Sequence, residues 1–225
     1  MYNHQESAES ERPNPGAADA AGRLTSSATP GRMAERSVQT RESLVAAARS
    51  LFAERGFTDV STEEIVRAAR MTRGALYHHF ESKEDLFRAV YEDVERDLVK
   101  RIAAGAILTT DPLEALRTGV RAFLDACEDR AVQRIALIDA PSVLGWEQWR
   151  EIGLRYGLGL VQGTLAAAMD AGLIERQPVR PVAHLLLGSI DEAAMLIARA
   201  DDNGQTKREV VAALERYLDS LRPIT

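Results

Sequence analysis

The sequence has a single cysteine and few aromatic residues. Because Cys127 stands alone, no disulfide can form within the chain, which fits a reducing cytoplasm. Phe, Trp and Tyr together make up 5% of the residues, and runs of β-branched residues are short, whereas Ala, Leu, Arg and Glu are plentiful. This composition favours an all-α protein.

Long apolar runs and catalytic motifs are also missing from the sequence. No stretch reaches about 20 uninterrupted apolar residues, and His184, Asp191 and Glu192 interrupt the most apolar one, so we expect no membrane partner. The start of the chain lacks the basic and then apolar pattern of a secretory signal. There is no phosphate-binding glycine loop, no nucleophile elbow and no His/Cys cluster with metal-ligand spacing. We therefore expect no enzyme, no metal and no cofactor.

Charge is unevenly distributed along the chain. The net charge is −6, which argues against nonspecific coating of nucleic acid. Residues 65–80 nevertheless contain Arg67, Arg70 and Arg73 and no acidic residue. A basic patch on an acidic protein favours selective binding of DNA.

Residues 61–83 have the pattern of two short helices joined by a tight turn and followed by a third helix. Ser61 with Glu64 forms the pattern of a capping box, and Thr72 and Ser82 can cap the next two helices. This arrangement is typical of a helix-turn-helix motif, whose second helix enters the major groove of DNA.

The second helix of this motif has an apolar side and a polar side. Leu76 and Phe80 are four residues apart and face inward. On the other side, Arg73 can bind a guanine edge or a phosphate, and Tyr77 and His78 can donate hydrogen bonds to phosphate oxygens. We therefore expect this side to contact DNA.

Residues 41–90 resemble the N-terminal DNA-binding domain of the tetracycline-repressor (TetR) family of bacterial transcriptional regulators. They include LFAERGF, TEEIVRAA and TRGALYHHFESKEDLFRAV, and the spacing Leu76-Tyr77-x-x-Phe80-x-x-Lys83 is more specific than a bare helix pair. The resemblance implies DNA contacts at Thr72, Arg73, Gly74, Ala75, Tyr77, His78 and Lys83, with Ser61 or Thr62 touching phosphate.

Two positions depart from the family pattern. Val66 stands where a small alanine is common, and Arg70 stands in the turn where glycine is common. A positive φ at Arg70 would cost roughly 1 kcal/mol.

The remaining helices are placed by their caps and stops. We expect the first helix to run from near Ser37 to Arg55 and to end at Gly56 in a left-handed conformation. Further helices are expected from Asp111-Pro112, over about 131–139 with a stop at Pro141, from Trp146 toward Ala171, from Pro181 to about Arg199, and from a capping box at Thr206 and Glu209.

The expected organisation is a disordered tail over 1–34, a three-helix DNA-binding domain over 35–81 and a helical ligand-binding and dimerisation domain over 82–225, with helix 82–104 connecting the two. The tail is expected to be inert, with an arm reaching DNA through Arg32 and Arg36 as the alternative.

The segment HLLLGSIDEAAMLIARA is apolar on almost every side, so its helix must be buried on more than one side. We expect one side to face a second copy of the chain, with helices of about 181–199 and 206–221 forming a four-helix homodimer interface, as the family resemblance also implies. Two recognition helices about 34 to 36 Å apart would then read a palindromic operator.

The segment LIDAPSVLGWEQWREIGLRYGLG resembles C-terminal domains in one branch of the family, whose members bind a small molecule among these helices. We expect a largely apolar effector of unknown identity. The candidate pocket residues are Phe123, Cys127, Trp146, Trp149, Tyr156, Met169 and His184, for which an ordinary core role is the alternative.

These observations predict a ligand-responsive DNA-binding transcriptional regulator of the bacterial cytoplasm, nucleoid-associated when bound to its operator. The expected mode is a repressor released from a palindromic operator by a small molecule. Two alternatives remain open: a helical enzyme with an appended helix-turn-helix, and a protein-interaction module whose helix pair has lost DNA binding.

Overall fold

In the computed structural model of the chain, the described residues are 30–106 and 109–223. These residues form nine α-helices and one π-helical segment, and no strand occurs among them. The predicted all-α architecture is confirmed.

Four helices make up the N-terminal part. The first helix begins at Pro30, earlier than the predicted start near Ser37, so residues 30–34 of the predicted tail are helical. It ends as expected, because Gly56 adopts a φ of 81° directly after it. Residues 1–29, and with them most of the predicted tail, lie outside the described residues. The helices are α1 (Pro30–Arg55), α2 (Thr62–Ala68), α3 (Arg73–His79) and α4 (Lys83–Ala106).

Five α-helices and the π-helical segment follow. Asp111 caps the first of them as predicted, since its side chain accepts hydrogen bonds from the amides of Leu113 and Glu114. The elements are α5 (Pro112–Ala126), the π-helical segment (Val132–Asp139), α6 (Ala140–Val143), α7 (Trp146–Asp170), α8 (Val179–Arg199) and α9 (Asn203–Asp219).

Pro141 does not end the helical conformation after the π-helical segment, contrary to the prediction. The segment continues directly into α6, with Pro141 in the first turn of α6. In π-helical bonding the carbonyl of Ala136 would pair with the amide of residue 141, which proline lacks. The indole Nε1 of Trp149 donates to this carbonyl instead, at 2.9 Å. A side chain from α7 thus replaces the missing backbone donor.

The start of α9 was also predicted wrongly. The helix begins at Asn203, because the side chain of Asp202 accepts a hydrogen bond from the amide of Gln205 at 2.8 Å and caps it. The predicted capping box at Thr206 and Glu209 therefore lies inside the helix. The start of α8 likewise precedes Pro181, because a helix tolerates proline in its first turn, where amides have no helical partner.

The connecting helix α4 contributes buried residues both to the DNA-binding domain and to the C-terminal helical domain. Near its start, Phe87 packs against Phe52 of α1 and against Phe57, with ring centroids 5.4 and 5.2 Å apart. Further along, Tyr91 and Leu98 are buried among the C-terminal helices. One rigid helix therefore reaches from the DNA-binding domain into the second helical domain.

Helix α8 is long and apolar enough to cross a membrane by length and composition alone, the only such helix in the described part of the chain. It packs against α5, α7, α9 and the π-helical segment. Leu186, Ile190 and Ala194 are buried in these contacts. Packing within a helical domain therefore accounts for one side of α8, whereas Leu185 and Leu196 of the same helix are exposed.

Candidate DNA-binding surface and effector cavity

The helix-turn-helix is held by its own caps. The predicted capping box is present: Ser61 Oγ accepts from the Glu64 amide at 3.3 Å, and the Glu64 carboxylate accepts from the Ser61 amide at 2.9 Å. These bonds, with the nearby Arg55 guanidinium, lower the pKa of Glu64 to about 2. Thr72 caps α3 by accepting from the Ala75 amide at 3.1 Å. The motif is therefore preorganised by local bonds.

The turn between α2 and α3 imposes a left-handed backbone on its unusual residue. Arg70 has a φ of 55°, the left-handed conformation that glycine adopts most easily. Val66, the other departure from the family pattern, is buried beside Ile65. Both departures are thus accommodated within a regular helix-turn-helix.

The outward side of α3 presents most of the predicted DNA contacts. Tyr77 is 44% exposed, although it is a large aromatic residue. The Arg73 guanidinium lies 5.5 Å from the centre of the Tyr77 ring and forms an ion pair with Glu63 at 2.8 Å. Since this pair is largely exposed, it contributes little stability and leaves Arg73 available to a phosphate. The side chains of Ser61, Thr72 and His78 are also exposed, whereas Thr62 and Ala75 are half-buried.

Gly74 is open to the outside. A Cβ built there would meet only Thr72 Oγ1, at 3.9 Å, so packing within the described residues does not require glycine. A close approach of DNA to the α3 backbone is a requirement that would favour it.

Lys83 lies at the joint between the DNA-binding domain and α4. Its Nζ donates to the Phe57 carbonyl at 2.6 Å and lies 4.1 Å from the centre of the Phe57 ring. Burial lowers the pKa of this ammonium. Lys83 therefore binds its own chain first, and the two further donors of its ammonium group remain for a phosphate.

A cavity of about 90 Å³ lies among α4, α5, α7, α8 and the π-helical segment. It can hold several water molecules or a small organic molecule. Gly153 and Gly157, one turn apart on α7, make room for it because they carry no side chain. The walls are mainly apolar, including Leu98, Ile102, Leu116, Val120, Leu137, Leu160, Val161 and Leu187.

Two of the seven predicted pocket residues, Phe123 and Trp149, line this cavity. The other five are placed elsewhere among the described residues: Cys127 and Met169 are buried in the core, Tyr156 and His184 are half-buried, and Trp146 is 61% exposed. Trp146 and Trp149 are three residues apart at the start of α7 and lie side by side, with ring centroids 4.8 Å apart. They differ because Trp149 is covered and its indole donates to the Ala136 carbonyl, whereas Trp146, the first residue of the helix, lies on the solvent side.

Three charged residues in the cavity wall were missed by the sequence reasoning: Glu95, Arg150 and Asp191. Arg150 donates to Asp191 at 2.5 Å and to the carbonyl of His184 at 3.4 Å. Burial raises the pKa of Asp191 to about 6, against the opposing effect of Arg150. The sequence offered one signal, the acidic pair Asp191 and Glu192 within its most apolar stretch.

Glu95 is half-buried, and its side chain lies in the cavity wall. Burial raises the pKa of its carboxyl to about 7, and the negative charge of Asp191 acts in the same direction. Its neighbour Tyr91 donates from its hydroxyl to the carbonyl of Trp149 at 3.3 Å. The cavity thus combines apolar walls with a small polar cluster, the usual composition of a small-molecule site.

The π-helical segment connects this cavity with the DNA-binding domain. Val132, Ala136 and Leu137 line the cavity. At the end of the same segment, Asp139 Oδ2 accepts a hydrogen bond from the amide of Phe57 at 2.7 Å. A displacement of the cavity wall would therefore act on the segment between α1 and α2.

Comparisons with known proteins agree with this arrangement. Residues 44–90 match the family described as "Bacterial regulatory proteins, tetR family", and residues 113–221 match "Tetracyclin repressor-like, C-terminal domain". The chain is 28% identical over 188 residues to the transposon Tn10 TetC protein of Escherichia coli, covering 81% of this chain and 92% of that protein.

Solved structures show the same fold. A TetR-family transcriptional regulator from Pectobacterium atrosepticum is 33% identical, with a TM-score of 0.76, covering 84% of this chain and 97% of that one. RolR in complex with its ligand resorcinol has a TM-score of 0.67 at 23% identity, covering 85% of this chain and 98% of that one, a likeness of fold alone. With its helix-turn-helix and its C-terminal helical domain, this chain belongs to the TetR family of bacterial regulatory proteins and is a DNA-binding transcriptional regulator.

Proposed function

We propose that this protein is a repressor that binds a palindromic operator as a homodimer and releases it when a small molecule occupies the cavity. One observation carries the proposal: α4 and the π-helical segment each line the cavity and each bond to the DNA-binding domain. A ligand that favours a different position of either element would change the spacing of the recognition helices. The cavity is proposed to bind its ligand without converting it.

The DNA contacts are proposed at the positions that the sequence indicated. Arg73, Tyr77 and His78 are exposed on α3, Gly74 leaves its backbone accessible, and the Ala75 amide lies in its first turn. Phosphate contacts are assigned to Ser61, Thr62, Thr72 and Lys83.

The dimer is proposed to form through α8 and α9. Leu185 and Leu196 are 64% and 54% exposed, and they are eleven residues apart on α8, which places them on one side of the helix. Ser189 and Glu192 are exposed between them. An exposed apolar side on a helix whose opposite side is buried favours a partner, and a second copy is the partner that a palindromic operator requires.

Release by ligand is favoured over a fixed DNA-binding role by the cavity. Repression is favoured by the name of one relative, because the "HTH-type transcriptional repressor KstR2" of Mycolicibacterium smegmatis is 33% identical over 111 residues, covering 49% of this chain and 52% of that protein. We place the protein in the bacterial cytoplasm, on the nucleoid when it is bound to its operator.

The experiment is selection of a random DNA library on the purified protein, followed by titration of the enriched duplex at several salt concentrations. We expect a palindrome with half-sites about one helical turn apart, bound by a dimer. Arg73→Ala should weaken binding roughly 10- to 100-fold. It should also make the slope of log affinity against log salt concentration shallower by about one.

Arg155→Ala is the matched control, because it removes the same charge at a residue that pairs with Glu92 on α4 and Glu151 on α7. It should leave DNA affinity unchanged. Equal losses from both substitutions would show that net charge, and not the surface of α3, determines binding. If no sequence is enriched, the DNA contacts proposed here are wrong.

A further inference from the structure

The cavity contains two acidic side chains and one basic side chain. Arg150 is paired with Asp191 and also donates to the carbonyl of His184. Among the described residues, no Lys or Arg forms an ion pair with Glu95, whose polar neighbour is the Tyr91 hydroxyl. Glu95 is therefore a cavity carboxyl without a cationic partner.

A buried carboxylate without a cation is unfavourable, and natural proteins pair such groups or keep them protonated. Here a second carboxylate adds to the cost, because Asp191 lies close enough to Glu95 for repulsion to disfavour ionisation of Glu95. A cation entering the cavity would remove both costs at once. An anion would meet this repulsion directly.

The rest of the wall fits an apolar body next to that charge. Phe123, Leu98 and Val161 form apolar surface, and Trp149 offers an aromatic ring in the same cavity. The volume of about 90 Å³ restricts the effector to a small molecule.

We propose that Glu95 is the specificity-determining residue of the cavity and that the effector is a small organic cation, a protonated amine attached to an apolar group. This inference rests on the proposed function, because it names the effector class for the same cavity. The ammonium binds Glu95 from the side of the cavity, and the apolar group lies against the α5 and α7 walls.

The test uses three probes with the same phenyl body and different heads: phenethylamine, phenethyl alcohol and hydrocinnamate. Their dissociation constants are measured by calorimetry on the full-length protein at about pH 8, where the amine is charged and Glu95 is mainly ionised. We expect phenethylamine to bind at least roughly tenfold more tightly than the alcohol, a difference typical of one buried charge pair. Hydrocinnamate should bind most weakly.

Glu95→Gln should abolish the preference for the amine over the alcohol while leaving the alcohol affinity similar. The control is Glu151→Gln, because Glu151 is an exposed acidic residue on α7 that pairs with Arg155. It should keep the full preference. A preference that survives in Glu95→Gln, a tighter alcohol, or no binding of any probe would overturn the proposal.

The amine affinity of the wild-type protein should rise between about pH 6 and pH 8 as Glu95 loses its proton, and Glu95→Gln should lose this rise. The titratable and charged groups around Glu95 are Tyr91 on its own helix, Cys127 at the end of α5, Arg150 on α7 and Asp191 on α8. Tyr91 and Cys127 stay protonated throughout, because burial raises the pKa of both, and Asp191 titrates lower, with a pKa of about 6.

Operator binding is measured in the same samples, so that the two proposals fail separately. Glu95-dependent binding of the amine with no change in operator affinity would support the effector class and refute ligand-controlled release. Release of the operator by the alcohol alone would support the proposed function and refute the cationic effector.

Discussion

Asp139 and Phe57 are 82 positions apart in the chain and are joined by one hydrogen bond, from the Phe57 amide to Asp139 Oδ2 at 2.7 Å. The carbonyl of the same Phe57 accepts from Lys83 Nζ. Phe57, two residues after the end of α1, is therefore held by the π-helical segment through its N–H and by α4 through its C=O. Both elements also line the cavity, so Phe57 is the point at which the two halves of the protein meet.

Replacing Asp139 by alanine should destabilise this joint. The Phe57 amide would lose a charged acceptor in a partly buried place, which should lower the free energy of unfolding by about 1–3 kcal/mol. Asp139→Asn retains an acceptor oxygen and should recover most of the loss. Urea unfolding measures the free energy, and hydrogen exchange at the Phe57 amide locates the effect. Unchanged exchange in Asp139→Ala would show that the bond does not protect this amide.

Gly56, one position earlier, should not tolerate a side chain. Its φ of 81° is left-handed, and a Cβ there would lie 2.1 Å from Nη2 of Arg134. Gly56→Ala should therefore cost about 1–2 kcal/mol in urea unfolding, even if Arg134 moves aside. Gly163 in α7 is the matched control, since nothing lies within 4 Å of its added Cβ. Gly163→Ala should stabilise the protein by roughly 0.5–1 kcal/mol, and a loss there as well would mean that glycine content alone explains the first result.

Sequence patterns predicted the elements whose signals are local. The capping box at Ser61 and the cap at Asp111 depend on bonds within a few residues, and both occur. The cost considered for a positive φ at Arg70 applies, because φ there is 55°. The continuation through Pro141 could not be predicted in this way. It depends on Trp149 Nε1 filling the place of an absent amide from another helix, which is a tertiary contact.

The cavity was less predictable than the DNA-binding surface for a related reason. Trp146 and Trp149 look alike in sequence and their rings lie 4.8 Å apart, but only Trp149 is covered, because its indole reaches the Ala136 carbonyl of the π-helical segment. Residues that make a cavity are those that leave space, such as Gly153 and Gly157, and they carry no apolar or aromatic signal. Glu95 lies beside the apolar stripe of α4, and only packing by α8 brings it near Asp191.

Leu185 and Leu196 should be essential for the homodimer. Replacing both by glutamate places two charges on the exposed side of α8 and should weaken dimerisation roughly a hundredfold or more, with a matching loss of operator affinity. Sedimentation equilibrium measures the first effect and anisotropy titration the second. Ile138→Glu is the control, because Ile138 is also exposed, at 41%, but lies on the π-helical segment. A dimer that survives the double substitution would place the interface elsewhere.

The buried carboxyl of Glu95 should make stability depend on pH in a defined direction. In the unfolded chain it titrates near about 4.3, and in the folded protein burial raises its pKa to about 7. The folded state therefore holds the proton more tightly between these values, so stability falls as pH rises through this window and the loss is complete above the folded pKa.

Glu95→Gln removes this loss, because the amide resembles the protonated carboxyl and does not ionise. At about pH 8 the variant should be more stable than the wild type by roughly 3–4 kcal/mol, at about 1.4 kcal/mol per pKa unit, whereas near about pH 4 the two should be equal. Urea unfolding at matched protein concentration measures both values. Asp191 titrates in the same direction but is present in both proteins, so it cancels in the comparison. A gain of the same size at both pH values would mean that the substitution improves packing and that ionisation of Glu95 does not limit stability.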